Sequence, residues 1–190
     1  METINTNFAK FQELYTFTGC SVDLKHLIDI DEFKMAPVAP SIESGLAYDG
    51  SLIQHILNVY HYAKALKGVY SGFKDIDNRS LVKVIVFHQL GKVGMFAPNP
   101  EEWQVKKQGK VYTFIERGYC LKTGDLSKMI CGNAGISFTP EEYEAMSIMD
   151  KSAEEYESMN KYRTHLSTLI RMANDMAYMF ARDKHNTTKE

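Results

Sequence analysis

A run of apolar residues from Leu81 to Leu90 places the strongest constraint on the fold of this chain. Its apolar side chains would lie almost all the way round a helix, and such a helix is stable only when other elements surround it. The run therefore predicts a buried central helix within a helical bundle. The C-terminal end of this helix presents His88, Gln89 and Lys92.

Further helices are predicted on both sides of this run. Phe8–Phe17 has apolar residues near helical spacing, and Tyr162–Phe180 forms a last long helix. The remaining predicted helices run from Ser51, as N-cap, to Leu66 with His55 on the way, from Leu126 to Cys131, and onward from the Thr139-Pro140 start. We expect an all-α bundle of about seven helices.

One stretch departs from the helical pattern. Between Trp103 and Ile115 the sequence alternates around Lys107–Lys110, which predicts a small β-hairpin inserted between helices. The chain has 190 residues, of which 44% are hydrophobic, so it suits a single compact domain. We expect this domain to span residues 1–182, with a disordered tail at 183–190.

Charge and cysteine content narrow the classes of partner. A formal net charge of -2, without a large basic block at either end, argues against nucleic-acid binding and against attraction to anionic membranes. Cys20, Cys120 and Cys131 lack CxxC spacing and favour reduced thiols over disulfides or a zinc cluster. With no apolar stretch near the roughly 18 residues of a membrane span and no signal-peptide pattern, a cytoplasmic protein is expected.

Several motifs together resemble the HD-domain metal-dependent phosphohydrolases, and in particular a subgroup of short, stand-alone HD hydrolases. The resemblance covers most of the chain. It is carried by Pro40-Ser41 to Gly45, by Ala47-Tyr48-Asp49-Gly50 leading to His55, by His88-Gln89-Leu90-Gly91-Lys92, by Trp103, by Thr139-Pro140-Glu141-Glu142 and by Ala173-Asn174-Asp175-Met176-Ala177. It implies the HD helical bundle and a site for one or two divalent metals.

The implied ligands are only partly present. The family's aspartate after the central histidine is Gln89 here, and two further histidine positions correspond to Thr123 and Met149. In the last helix the family's aspartate aligns with Asn174, whereas a shift of one residue would place Asp175 there. Because one residue turns about 100° around a helix, only one of these two side chains faces the site.

Two functional hypotheses follow from these departures. In the first, the chain is a degenerate HD domain, a pseudoenzyme that acts as a binding or interaction module for phosphorylated ligands or nucleotides and needs no cofactor. Its ligand-binding residues would be His55, His88, Gln89, Lys92 and Thr123, in a net-positive pocket to which Arg117, Lys122 or Lys128 could add charge. A protein partner or a homo-oligomer is an open alternative for the interaction.

In the second hypothesis, the chain is an active phosphohydrolase of nucleotides or other phosphoesters. His55, His88 and Asp175 would then hold a divalent metal, namely Mn, Mg, Co, Ni or Fe, and Gln89 would supply a neutral ligand. Lys92 would contact the substrate phosphate and so belong to the catalytic machinery. This hypothesis requires that Asp175, and not Asn174, faces inward.

Overall fold

The computed structural model describes residues 1–159, 161 and 163–187. Within these residues it contains nine α-helices and one antiparallel two-stranded sheet, which confirms the predicted all-α fold with a small β element. The elements are α1 (Glu2–Phe17), α2 (Ile30–Met35), α3 (Ser51–Val69), α4 (Asn78–Phe87), β1 (Phe96–Pro98), α5 (Glu102–Gln108), β2 (Tyr112–Phe114), α6 (Thr123–Asn133), α7 (Pro140–Ser147), α8 (Ala153–Ser158) and α9 (His165–Thr187).

Helix α4 is the predicted central helix. The Asp77 side chain accepts a hydrogen bond from the backbone N–H of Ser80 and so caps its N-terminus. From Leu81 to Phe87 every residue except Lys83 is buried. The helix ends at His88, its C-cap, so it begins and ends about three residues earlier than the apolar run suggests.

Helices α3 and α9 pack along each other beside α4. Small residues on α9 let the two backbones approach closely, since Ala173, Ala177 and Ala181 all lie in the core. The start of α3 differs from the prediction, because the N-cap is Gly50 in the left-handed region (φ 82°) and not Ser51. The Ser51 hydroxyl instead donates to Leu46 O and accepts from Val38 N, fixing the preceding loop.

The small sheet forms with its second strand inside the predicted stretch, but its first strand lies earlier in the chain than predicted. Phe96–Pro98 pairs with Tyr112–Phe114, whereas Glu102–Gln108 is helix α5. A Glu102–Lys106 ion pair spans one helical turn, and Gly109 (φ 61°) ends the helix in the left-handed region. The predicted turn at Lys107–Lys110 was wrong. The alternation of residue types before it covers too few residues to distinguish a strand from a short helix.

The last helix is described from His165 and ends later than predicted. Helix α9 continues to Thr187, so residues 183–187 of the predicted disordered tail are helical. Residues 188–190, and the predicted helix start at Tyr162, lie outside the described residues. Among the helices described, none is long and apolar enough to cross a membrane.

Candidate functional site

Four polar side chains meet in the middle of the bundle. His55 comes from α3, His88 and Gln89 follow α4, and Asn174 lies on α9; all four are at most 3% exposed. Buried polar groups are costly unless they find hydrogen-bond partners. Their hydrogen bonds therefore decide what this site can bind.

Asn174 is the centre of a hydrogen-bond network. Its Oδ1 atom accepts from Gln89 Nε2 at 3.0 Å and lies 2.9 Å from His55 Nε2, which donates to it. His55 also packs its ring against Tyr178, with ring centroids 4.5 Å apart. His55 and Gln89, at two implied metal-ligand positions, thus both donate a hydrogen bond to Asn174 at a third.

His88 takes a defined tautomer. Its Nδ1 atom lies 2.9 Å from Ile85 O, a carbonyl that can only accept, so Nδ1 carries the proton and Nε2 carries a lone pair. That Nε2 atom is buried and has no hydrogen-bond partner among the described residues. The same holds for Gln89 Oε1, Asn174 Nδ2 and His55 Nδ1. Unsatisfied buried groups of this kind are uncommon in folded proteins and point to a ligand site.

Both imidazoles are neutral at physiological pH. Burial lowers the pKa of His55 to about 3 and the pKa of His88 to about 4, because the charged form of each ring would lose its hydration. The positive charge of Lys92 lowers both pKa values further. The histidines therefore contribute lone pairs and N–H groups to this site but no positive charge.

His88, Gln89 and Asn174 border a cavity of about 140 Å³, whereas His55, expected as a ligand-binding residue, is not among its walls. Its walls are His88, Gln89, Lys92, Thr123, Gly124, Met146, Met149, Asp150, Asn174 and Tyr178. The Lys92 ammonium donates to Val38 O at 2.9 Å and to Tyr178 Oη at 3.1 Å. An ammonium has three N–H donors, so one remains for a ligand. Thr123 and Met149, which stand where the family resemblance expects histidines, thus both line the cavity.

Asp150 also lines the cavity, which the sequence did not predict. Its Oδ2 atom accepts a hydrogen bond of 2.6 Å from the backbone N–H of Gly124. Burial raises the pKa of this carboxyl group above its usual range. The pocket expected from the sequence was net positive and its predicted residues included no acid, whereas the structure adds the Asp150 carboxyl group to its walls.

Asp175 lies on the outer side of α9. Its side chain is 53% exposed and forms an ion pair of 3.2 Å with Arg171, one turn earlier on the same helix. This excludes Asp175 from the implied metal position and places Asn174 there. Other basic residues considered from the sequence are engaged elsewhere: Arg117 donates to Val93 O, Lys122 to Asp150 O, and Lys128 pairs with Asp125.

The residues present do not fit a divalent metal of the kind that the resemblance implies. Hard cations need carboxylate oxygens, and the Asn174 oxygen near the histidines is neutral and already accepts two hydrogen bonds. The Asp150 carboxyl group in the cavity wall accepts from Gly124 N–H and is the single acidic side chain among the lining residues. Within the described part of the chain, no group of three or more His, Cys, Asp or Glu side chains could hold a metal ion.

Comparisons with protein-family models, with curated proteins and with solved structures found no match to this chain.

Proposed function

We propose that this protein is a non-catalytic binding module, a degenerate relative of the HD-domain phosphohydrolases, which holds the phosphate group of a small phosphorylated ligand. The supporting observation is the network centred on Asn174, in which neutral amides replace the expected metal-binding carboxylates. A cytoplasmic location belongs to the same proposal, since a reducing compartment keeps the three thiols free.

The unpaired atoms of the cavity indicate the chemistry of the ligand. Lys92 supplies a positive charge and a free N–H, and Asn174 Nδ2 supplies further donors. His88 Nε2 and Gln89 Oε1 can only accept. A phosphate monoester that keeps one proton carries anionic oxygens for the donors and a hydroxyl for these acceptors, so it matches both kinds of group.

The size of the cavity limits how much of the ligand enters. At about 140 Å³ it is well below the volume of pockets that enclose a whole drug-sized molecule, which begin at roughly 300 Å³. A single phosphate group fits such a space, whereas a complete nucleotide does not. We therefore expect the remainder of a phosphoester to lie outside the cavity.

The rival hypothesis of an active hydrolase lacks one of the metal-binding residues that it proposed. It required an inward Asp175 to join His55 and His88, and Asp175 pairs with Arg171 at the surface. Without Asp175, the described site offers two neutral imidazoles and one neutral amide oxygen, a weak donor set for the metal ion that would lower the pKa of an attacking water. A binding role requires no such group.

Titration calorimetry with inorganic phosphate and with phenyl phosphate tests the proposal. Lys92→Met should weaken binding at least about tenfold, because it removes the charge-assisted hydrogen bond. Lys10→Met, at an exposed position of α1, is the matched control and should bind like the wild type. Equal affinities for wild type and Lys92→Met would contradict the proposal. Metal-dependent hydrolysis of phenyl phosphate that His88→Ala abolishes would contradict it as well.

A further inference from the structure

The carboxylate of Asp150 lies at the N-terminus of helix α6. Gly124 is the second residue of that eleven-residue helix, and its backbone N–H has no partner within the helix. Free N–H groups and the helix dipole make a helix N-terminus a preferred position for an anion. In this protein a side chain of the same chain occupies that position.

This helix terminus opens into the cavity described above. Gly124 and Asp150 line the cavity together with Lys92, His88 and Asn174, and the buried atoms His88 Nε2 and Asn174 Nδ2 have no hydrogen-bond partner within the described part of the chain. The donors that a phosphate would use therefore line the same cavity as a carboxylate that already accepts from one of them, Gly124 N–H. The cavity contains its own anion.

The contact between Gly124 and Asp150 requires a glycine at position 124. A Cβ atom on residue 124 would lie 2.8 Å from Asp150 Oδ2 and 2.4 Å from Met146 O, both too close for a side chain. Only glycine lets the carboxylate reach the backbone N–H. Lys122 donates to the backbone carbonyl of Asp150, and among the ion pairs of the described residues none involves its carboxylate. The Asp150 side chain can therefore leave the cavity without breaking an ion pair.

We propose that Asp150 is an internal competitor, whose carboxylate occupies the position at Gly124 that the phosphate of a ligand takes on binding. This inference rests on the proposed function and adds its regulation: binding requires that Asp150 rotates away from Gly124. Burial raises the pKa of Asp150, which agrees with a carboxylate that loses hydration when it fills this cavity. Any change that draws Asp150 outward strengthens binding.

The test compares the affinity of the full chain for inorganic phosphate in two variants. Asp150→Asn keeps the shape and an oxygen acceptor for Gly124 N–H but removes the charge, and should bind phosphate at least about tenfold more tightly. Asp125→Asn is the matched control, since Asp125 follows Gly124 in α6 and its side chain is 49% exposed. It should change the affinity less than about threefold, because solvent screens an exposed charge.

Amide NMR of Gly124 supplies a second readout. Phosphate should shift the Gly124 resonance in wild type and in Asp150→Asn, because the anion replaces the carboxyl or amide oxygen as acceptor. Two results would overturn the inference: equal affinities for wild type and Asp150→Asn, or a Gly124 resonance that phosphate leaves unchanged. The Lys92→Met result decides the proposed function separately. Failure of both wild type and Asp150→Asn to bind phosphate would overturn both.

Discussion

Asn174 satisfies two buried donors with one oxygen atom. Its Oδ1 accepts from His55 Nε2 and from Gln89 Nε2, and neither donor has another partner among the described residues. A buried donor that loses its acceptor costs roughly 1–3 kcal/mol, so this one amide oxygen stabilises the contact of three helical segments.

We predict that Asn174→Ala lowers the free energy of unfolding by roughly 2–5 kcal/mol, since it strands both donors and leaves a small void. The adjacent variant Asp175→Ala removes only an exposed ion pair and should cost less than about 1 kcal/mol. Urea unfolding of the two variants measures the difference. A larger loss for Asp175→Ala would mean that the opposite register of α9 is correct.

The two buried histidines make stability depend on pH. Each is neutral in the folded state because burial lowers its pKa, to about 3 for His55 and about 4 for His88, whereas in the unfolded chain each titrates near its ordinary value of 6.5. The unfolded state therefore binds more protons below that value. Their contribution to stability is fully present above pH 6.5 and is lost as the pH falls towards the folded-state pKa values.

Between pH of about 7.5 and about 4.5 we predict a loss of roughly 2–3 kcal/mol per buried histidine. His88→Asn removes one of the two titrating groups and should reduce this pH-dependent loss by about half. His61→Gln, at an exposed position of the same helix as His55, should leave it unchanged. Urea unfolding across this pH range gives the values, and an unaltered loss in His88→Asn would show that other groups cause it.

The sequence contained enough information to choose between Asn174 and Asp175. Asn174 follows Ile170 by four residues and precedes Ala177 by three, so it lies on the apolar stripe of α9, whereas Asp175 lies beside Arg171 at ion-pair spacing. Asp150 could not have been found in this way. Its inward position depends on the path of the chain after α7, for which local sequence gives no signal.

Among the helices, α6 packs closely against its neighbours at two glycines, Gly91 in the turn after α4 and Gly124 in α6 itself. A Cβ on Gly91 would lie 2.4 Å from Thr123 O, and a Cβ on Gly124 would lie 2.4 Å from Met146 O. The Ser127 hydroxyl also accepts from Gly91 N, joining α6 to the turn that carries Lys92. Close backbone contact therefore fixes this helix against both its neighbours.

Two glycines of α6 provide a matched comparison. Gly124→Ala should lower the free energy of unfolding by roughly 1–3 kcal/mol, because the new Cβ meets backbone atoms that cannot easily move. Gly132→Ala meets nothing within 4 Å and should be neutral or stabilise by up to about 1 kcal/mol through its higher helix propensity. Thermal and urea unfolding of both variants measure this difference. Equal changes in the free energy of unfolding would contradict it.

At the scale of single helices, the capping residues in the sequence predicted helix α7 well. Thr139 caps it, Pro140 is its first residue, and the Glu142 side chain accepts from Thr139 N, so the capping box forms as its sequence indicates. The segment at Glu102–Gln108 was misread because Trp103 and Val105 also suit a strand. Its helix depends on the Gly109 C-cap and on contacts of the following chain with Pro40 and Asp49.

The whole bundle assembles a site from positions that are far apart in sequence. His55 and Asn174 are 119 residues apart, and Gln89 and Asn174 are 85 residues apart. The packing of α3 against α9 beside the buried α4 makes these contacts, and the apolar pattern predicted that bundle. The chemistry of the site depends on a few polar residues inside this bundle. Only the three-dimensional structure reveals that His55 and Gln89 both donate hydrogen bonds to Asn174.

The central claim is that this bundle holds neutral groups where a metal centre would need carboxylates. Metal analysis and Mn²⁺ titration calorimetry of wild type and of the double variant Gln89→Asp/Asn174→Asp test it most directly. We predict that the purified wild type contains no stoichiometric divalent metal and binds Mn²⁺ without saturation, whereas the double variant binds Mn²⁺ stoichiometrically. A wild type that carries a divalent metal, lost in His88→Ala, would contradict the account.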